Sequence, residues 1–436
     1  MNDNMRPAGH TELPGRRETL SAALIGLTGS AYRAGLPHLI ASTVLVQGLA
    51  YLSQLYIAHL LGPGPFAVVR NTEAIISILV LIGSVGMPSL AVKSIAEVTD
   101  PDVRAKVLGR LLLIAGLGGV ALSAAAALIV PAFVPAGTRP YFSHLIWIVA
   151  VSAVGRTAIN YFQGIRQFQR MAVLSVTLSG LAMTTLALLT WRFGLEGWVL
   201  GRYAGEGLFV AGSLLLLKPH IRLSGRLPAA YARKALIGVG LTIAMSLVTR
   251  TALDNAALLS LAYFGRTPEE VGCYGLGSLI IVGVMLLPGA IATLAITRFV
   301  ERAATPRAAR DYYDRVLRWS LLAIVPCAGL LLLGSPLLTT IFGAGYASSV
   351  PILRVLALTV PMRTIAAITA ALLMAHDKNN LTLGTNWLLL MLGAVLYAIV
   401  VPTYGPAGAA WVTVLLEAGS AVLLVSLSRS RVWGQS

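Results

Sequence analysis

The sequence predicts an all-α, polytopic membrane protein of about twelve transmembrane helices in two six-helix repeats. Three observations carry that expectation. Of the 436 residues, 57% are hydrophobic and only 11% charged, with a mean hydropathy of +0.80. Soluble domains run at about 45–50% apolar and about 25% charged. Apolar runs of about 20 residues, each long enough to cross a bilayer as a helix, recur from end to end. The basic residues also alternate between loops, and they do so in step with those runs.

In chain order, the first span lies near 38–60 and ends at "LLGPGPF" (60–66), and the second lies near 66–90. A basic segment from Lys93 to Arg110 leads into the third, near 107–130, and the fourth, near 141–163. Arg166 and Arg170 come next, then the fifth (171–191) and sixth (195–217) spans, which end at a basic stretch from Lys218 to Lys234. The seventh (236–262) and eighth (271–297) lead into Arg298–Arg318. The ninth (316–340) and tenth (351–374) end at Lys378, and the eleventh (381–401) and twelfth (406–427) at Arg429 and Arg431. Twenty-four of the 33 Lys and Arg fall on one side of this arrangement, and three, Arg139, Arg192 and Arg266, on the other. The positive-inside rule then places both termini in the cytoplasm. The net charge of +16 is therefore topology rather than a nucleic-acid signal.

The two halves resemble each other. "FGLEGWVLGRYAGE" (193–206) matches "YGPAGAAWVTVLLE" (404–417) without a gap, at an offset of 211 residues. Near the start of each half, "LLGPGPF" parallels "YFGRTPEEVG" (263–272) at an offset of 203. The expected organisation is a cytoplasmic segment at 1–35, a first bundle at 36–218, a basic linker at 219–234, a second bundle at 235–428 and a tail at 429–436. Transporters built from such repeats hold substrate at the repeat interface, near mid-membrane.

Charged residues inside spans then become site candidates, because an isolated charge at the bilayer centre is costly. Span seven carries Thr242, Ser246, Arg250 and Asp254 at every fourth position, with Asn255 beside them. Span one carries Thr43, Gln47, Tyr51 and Gln54 at similar spacing. Each set lies on one helical face, so the two read as facing walls of a cavity. At ~1.5 Å per residue, Arg250, Arg156 and Arg363 fall roughly 18–22 Å from the outer ends of their spans, and Glu206 and Glu417 roughly 17 Å. Arg156 and Arg363 have no evident acid on their own helices, which favours a water- or substrate-filled cavity. Arg250 with Asp254, Arg202 with Glu206 and Arg70 with Glu73 are also spaced as intrahelical ion pairs, which is a packing role. Arg70 and Arg354 read as interfacial side chains that snorkel. Six arginines against four acids within spans suit an anionic ligand. Asp254, Glu206 and Glu417 are the candidates for proton or Na⁺ coupling. No nucleotide loop, metal-ligand spacing or catalytic triad is present, so neither a cofactor nor an enzymatic reaction is expected.

Three stretches resemble polysaccharide flippases of the Wzx type, the polysaccharide-transporter branch of the multidrug/oligosaccharidyl-lipid/polysaccharide superfamily. "IFGAGYASSVPILRVLAL" (341–358) resembles their loop between spans nine and ten. "VPTYGPAGAAWVTVLLE" (401–417) resembles the lead-in to their last span, and residues 56–98 resemble their first hairpin, with His59 where an Arg is usual. The resemblance implies a MATE-like V-shaped fold in the bacterial cytoplasmic membrane. It also implies a polyprenyl-pyrophosphate-linked oligosaccharide moved from the inner to the outer leaflet by alternating access. Arg156, Arg250 and Arg363 would then bind the pyrophosphate, and Gln47, Tyr51, Gln54 and Asn255 the sugars, while membrane lipids surround the tail. Glycan polymerase or export proteins are the implied partners. The competing readings are a multidrug exporter, which usually carries an acid in the first span, and a lipid II flippase, whose relatives often have two further spans.

Overall fold

The computed structural model describes residues 36–165, 167–223, 231, 233–302 and 306–433. The expected amino-terminal segment, residues 224–230 and 232 of the linker and residues 434–436 of the tail lie outside the described residues. So does the side chain of Thr242. The described residues are 91% helical, with no strand among them. Its helices are α1 Leu36–Leu61, α2 Pro63–Gly83, α3 Met87–Glu97, α4 Pro101–Ile129, α5 Arg139–Leu145, α6 Ile148–Gly164 and α7 Phe168–Leu217. The second half contains α8 Arg233–Tyr263, α9 Pro268–Val284, α10 Leu286–Arg302, α11 Pro306–Gly334, α12 Leu337–Phe342, α13 Ser349–Ala357, α14 Thr359–Ala375 and α15 Asn379–Ser428.

Local sequence explains where the helices start. Pro63, Pro101 and Pro268 each stand in the first helical turn, where the missing N–H costs nothing. Asp100 caps α4 by accepting from the Asp102 N–H at 2.9 Å, and Thr267 with Glu270 forms a capping box at α9. Gly62, with φ of 74°, turns the chain from α1 into α2 in a region that favours glycine.

The longest helices are hairpins. Fifty residues of α7 would stretch about 75 Å at 1.5 Å per residue, far beyond a hydrocarbon core of about 30 Å. The chain instead reverses at Gly194 (φ 61°, ψ −135°), so that Gly201 packs on Leu186 and Gly205 on Ala182. α15 does the same at Gly405 (φ 56°, ψ −141°), with Tyr397 meeting Thr413 across the turn. Among the described residues, eight helices are long and apolar enough to cross a membrane, or ten if each bent pair is one span; the two hairpins bring the crossings to twelve. The protein is a multi-pass membrane protein.

The breaks obey the repeat as well. Span four is bent by 46° between α5 and α6, and span ten by 40° between α13 and α14. Span two breaks at Val85–Gly86 and span eight at Met285. Much of the outer surface is apolar, with Leu128, Leu215 and Leu333 largely exposed where lipid chains would lie.

One end of the molecule, the basic end, carries Lys93, Arg104, Lys218 and Lys378. The far end carries the turns at Gly62, Gly194, Gly265 and Gly405. At the far end the two halves are pressed together. Gly272 of α9 leaves no room for a Cβ against the Pro63 carbonyl, and the Tyr346 hydroxyl donates to the Ala58 carbonyl at 2.8 Å. At the basic end Gly86 and Gly240 form one comparable backbone approach. Between these contacts the halves part around a central cavity.

Candidate functional site

The central cavity has a volume of about 840 Å³ and runs from mid-span toward the basic end, with its far end shut by the α2–α9 contact. Its charged wall belongs to the second half. Along α8 the four-residue spacing stacks Arg250 below Asp254, and Arg250 Nη2 lies 2.8 Å from Asp254 Oδ1. The same nitrogen reaches Glu417 Oε1 of α15 at 3.1 Å. Arg363 of α14 closes the figure, with Nε 2.7 Å from Glu417 Oε1 and Nη2 2.5 Å from Asp254 Oδ1. Two guanidinium groups thus alternate with two carboxylates in a ring of zero net charge. Glu417 is 4% exposed and Asp254 37%, so the ring runs from the protein interior to the cavity. Desolvated charges persist only when paired in this way.

Arg70 of α2 enters the cavity from the first half. Its stem passes Gly275, where a Cβ would stand 3.0 Å from Arg70 Cγ. Its Nε is buried without a hydrogen-bond partner, and no ion pair within 4.0 Å is made by its guanidinium among the described residues. Glu73, one turn along, is engaged elsewhere, at 2.7 Å from Arg202 Nε. A cation half-buried without a bonded anion is unfavourable as it stands, and its vacant N–H groups have the chemistry to bind an anionic group.

The candidates named from sequence separate into two groups. Arg250, Asp254, Asn255, Arg363 and Gln47 line the cavity, and Glu417 is the buried corner of the ring behind them. Asn255 Nδ2 donates to the Thr251 carbonyl at 2.9 Å, which leaves its oxygen for other partners. Arg363 has acids after all, supplied by α8 and α15 rather than by its own helix. The other four stand apart. Tyr51 packs against Gly283 of α9, and Gln54 is partly buried with its Oε1 unpartnered; neither lines the cavity. Arg156 is exposed and borders a separate pocket of about 160 Å³ within the first half, shared with Arg202 and Glu206. Glu206 lies 3.5 Å from Arg202, which also holds Glu73. The stripe reading of α1 fails beyond Gln47 because Tyr51 is turned onto Gly283 of α9 and Gln54 is half-buried away from the cavity. Arg70 was the residue that depth reasoning passed over. It lies seven residues past Pro63, roughly 10 Å from the far end, where burial comes from the partner half rather than from the bilayer centre.

A family model described as "Polysaccharide biosynthesis protein" matches residues 56–351. A search of curated proteins finds no match to the chain. Among solved structures, the chain is similar to an inward-facing multidrug resistance MATE family transporter of the MOP superfamily, with a TM-score of 0.74 at 14% identity, covering 89% of this chain and 95% of that one. It is also similar to the lipid II flippase MurJ in an inward closed conformation, with a TM-score of 0.70 at 15% identity over 90% of this chain and 87% of that one. A third is a MOP superfamily transporter from Pyrococcus furiosus described by the reverse polarity of its binding pocket, with a TM-score of 0.64 at 15% identity over 92% and 94%. These likenesses establish the fold, in which six-helix halves flank a central cavity. With two-thirds of its length matched by one family and its fold that of the MOP superfamily transporters, the chain belongs to the polysaccharide biosynthesis protein family.

Proposed function

We propose that the protein is a flippase that carries a polyprenyl-pyrophosphate-linked oligosaccharide from the inner to the outer leaflet of the bacterial cytoplasmic membrane. The observation that carries this reading is Arg70, a half-buried guanidinium with its Nε unpartnered and no bonded acid among the described residues, at the closed end of an otherwise charge-balanced cavity. A pyrophosphate supplies the missing anion, and a planar guanidinium suits phosphate oxygens. Arg250 and Arg363 are a second cationic contact, reached when phosphate oxygens displace Asp254, the more exposed acid of the ring. Gln47 of α1 and Asn255, one residue past Asp254 on α8, offer amide groups to sugar hydroxyls.

The basic end faces the cytoplasm on the charge rule, so the cavity is open on the side where lipid-linked glycans would load. Release requires the α2–α9 contact to part, with residues 36–218 and 235–428 rocking as two units. Protonation of Asp254 or Glu417 would loosen the ring and is the proposed route to ion coupling, with Glu206 a lesser candidate outside the cavity. A cationic drug finds no free carboxylate here, because both ring acids are held by arginines. Glycan polymerase or export proteins are the partners this reading implies.

The test is mass spectrometry of lipid extracts from cells lacking the protein. A polyprenyl-pyrophosphate glycan should accumulate and be cleared by the wild-type gene. Unchanged lipids together with new sensitivity to cationic dyes would replace this reading with that of a multidrug exporter.

A further inference from the structure

We infer that a second pocket, apolar and in the far half of the membrane, receives the isoprenoid tail of the same substrate. The inference rests on the flippase reading above. The pocket has a volume of about 460 Å³ and lies between the two halves of the chain. Ile75 of α2 and Val130 with Phe133 after α4 form one wall; Leu259 of α8 with Leu390 and Ala398 of α15 form the other. Phe133 and Tyr263 at its rim are 64% and 65% exposed, and Ala394 and Ala398 are exposed along its side, so the pocket opens where lipid would surround the protein.

What singles it out is its shared wall with the charged cavity. On α2, Arg70 lines the cavity and Asn71 the apolar pocket; on α8, Asn255 lines the one and Ala256 the other. The remaining barrier is a short hydrogen-bonded partition. Tyr274 and Tyr397 each place a hydroxyl on Thr413 Oγ1, at 3.0 and 2.9 Å, while Thr413 donates to the Ala409 carbonyl at 2.9 Å. A threonine hydroxyl has one hydrogen and two lone pairs, so both tyrosines are donors and the group is saturated. Tyr274 and Thr413 face the cavity, and Tyr397 faces the apolar pocket. An amphiphile with an anionic head at Arg70 therefore has an apolar chamber one side-chain layer away, on the side to which the head must move. A phospholipid acyl chain would fill the chamber as well, but its single phosphodiester offers the adjoining cation fewer charged oxygens than a pyrophosphate does. The substrate's own tail is the occupant that uses both.

The experiment uses the full-length protein in phosphatidylethanolamine/phosphatidylglycerol nanodiscs. Two photoactivatable probes are compared, a polyprenyl pyrophosphate with a diazirine in its tail and a phosphatidylethanolamine with a diazirine in its acyl chain. Inorganic pyrophosphate serves as a head-only ligand. The expected result is labelling of residues 256–264 and 390–398 by the polyprenyl probe, competed by unlabelled polyprenyl pyrophosphate. Ala398→Trp, which fills the chamber, should weaken polyprenyl pyrophosphate binding by about tenfold and leave inorganic pyrophosphate binding unchanged. Ala398→Leu should do so to a smaller degree, and covers the case in which the tryptophan variant fails to fold. Equal labelling by the phospholipid probe without competition would assign the pocket to bulk lipid and overturn the inference, as would polyprenyl labelling elsewhere. If wild-type protein binds neither polyprenyl nor inorganic pyrophosphate, the flippase reading itself falls. If it binds both but the tail never labels this pocket, the inference alone falls.

Discussion

Glu206 and Glu417 stand at equivalent points of the two hairpins, 211 residues apart, yet they sit in different electrical settings. In the first half one arginine, Arg202, is shared by two acids, Glu73 at 2.7 Å and Glu206 at 3.5 Å. In the second half two arginines share two acids, and Glu417 receives both Arg363 at 2.7 Å and Arg250 at 3.1 Å. The first cluster borders a small pocket within its own half, and the second faces the central cavity. The two halves share the helix breaks and the glutamate but not the ion pairing. Only the second half has a ring open to the central cavity, and the first half contributes Arg70, which the proposed function pairs with the anionic head.

The sharpest break of this comparison comes from neutralising the two glutamates in turn. Glu417→Gln leaves two guanidiniums sharing Asp254 and should lower stability by about 3–5 kcal/mol, the cost of breaking a buried pair. Glu206→Gln leaves Arg202 with its shorter bond to Glu73 and should cost about 1–2 kcal/mol, the loss of one long, partly buried charged contact. Thermal unfolding of the detergent-solubilised proteins measures both, and equal losses would remove the asymmetry.

Arg70→Ala sharpens it on the functional side. Arg70 makes no ion pair among the described residues, so its removal should not lower the unfolding temperature, while glycan export falls by at least about tenfold. Arg363→Ala should lower both. Gly272→Val tests closure, since a side chain there meets the Pro63 carbonyl. Cysteines placed in the cavity should then react faster with reagents added from the far side. Gly194→Ala and Gly405→Ala should each cost about 1 kcal/mol, because both glycines hold positive φ in equivalent turns. The smallest effect is expected from Arg156→Ala. Lying outside the central cavity, it should change export by less than about twofold, given its exposure.

The fold was largely legible from the sequence because its signals are local. An apolar run of fixed length makes a span, and "FGLEG" and "YGPAG" mark reversals that need a positive φ at the same glycine. The Arg250–Asp254 pair was readable for the same reason, at one helical turn. The remaining sides of the ring were not. Arg363 and Glu417 are 54 residues apart and Arg250 and Glu417 are 167 apart, and no periodicity joins separate helices. Arg70 and Arg156 show the same limit in opposite directions. Depth along a helix predicted a central Arg156 and an interfacial Arg70, but the way the halves converge brings a half-buried Arg70 into the cavity and leaves Arg156 at the side.

The most direct measurement is leaflet-to-leaflet transfer in proteoliposomes. A fluorescent polyprenyl-pyrophosphate glycan is loaded in one leaflet, and its arrival in the other is read by quenching, for wild type, Arg70→Ala and Arg156→Ala. Transfer by wild type and Arg156→Ala, with loss in Arg70→Ala at unchanged unfolding temperature, is the predicted result. Transfer by Arg70→Ala at the wild-type rate would contradict a cavity built around that unpaired cation.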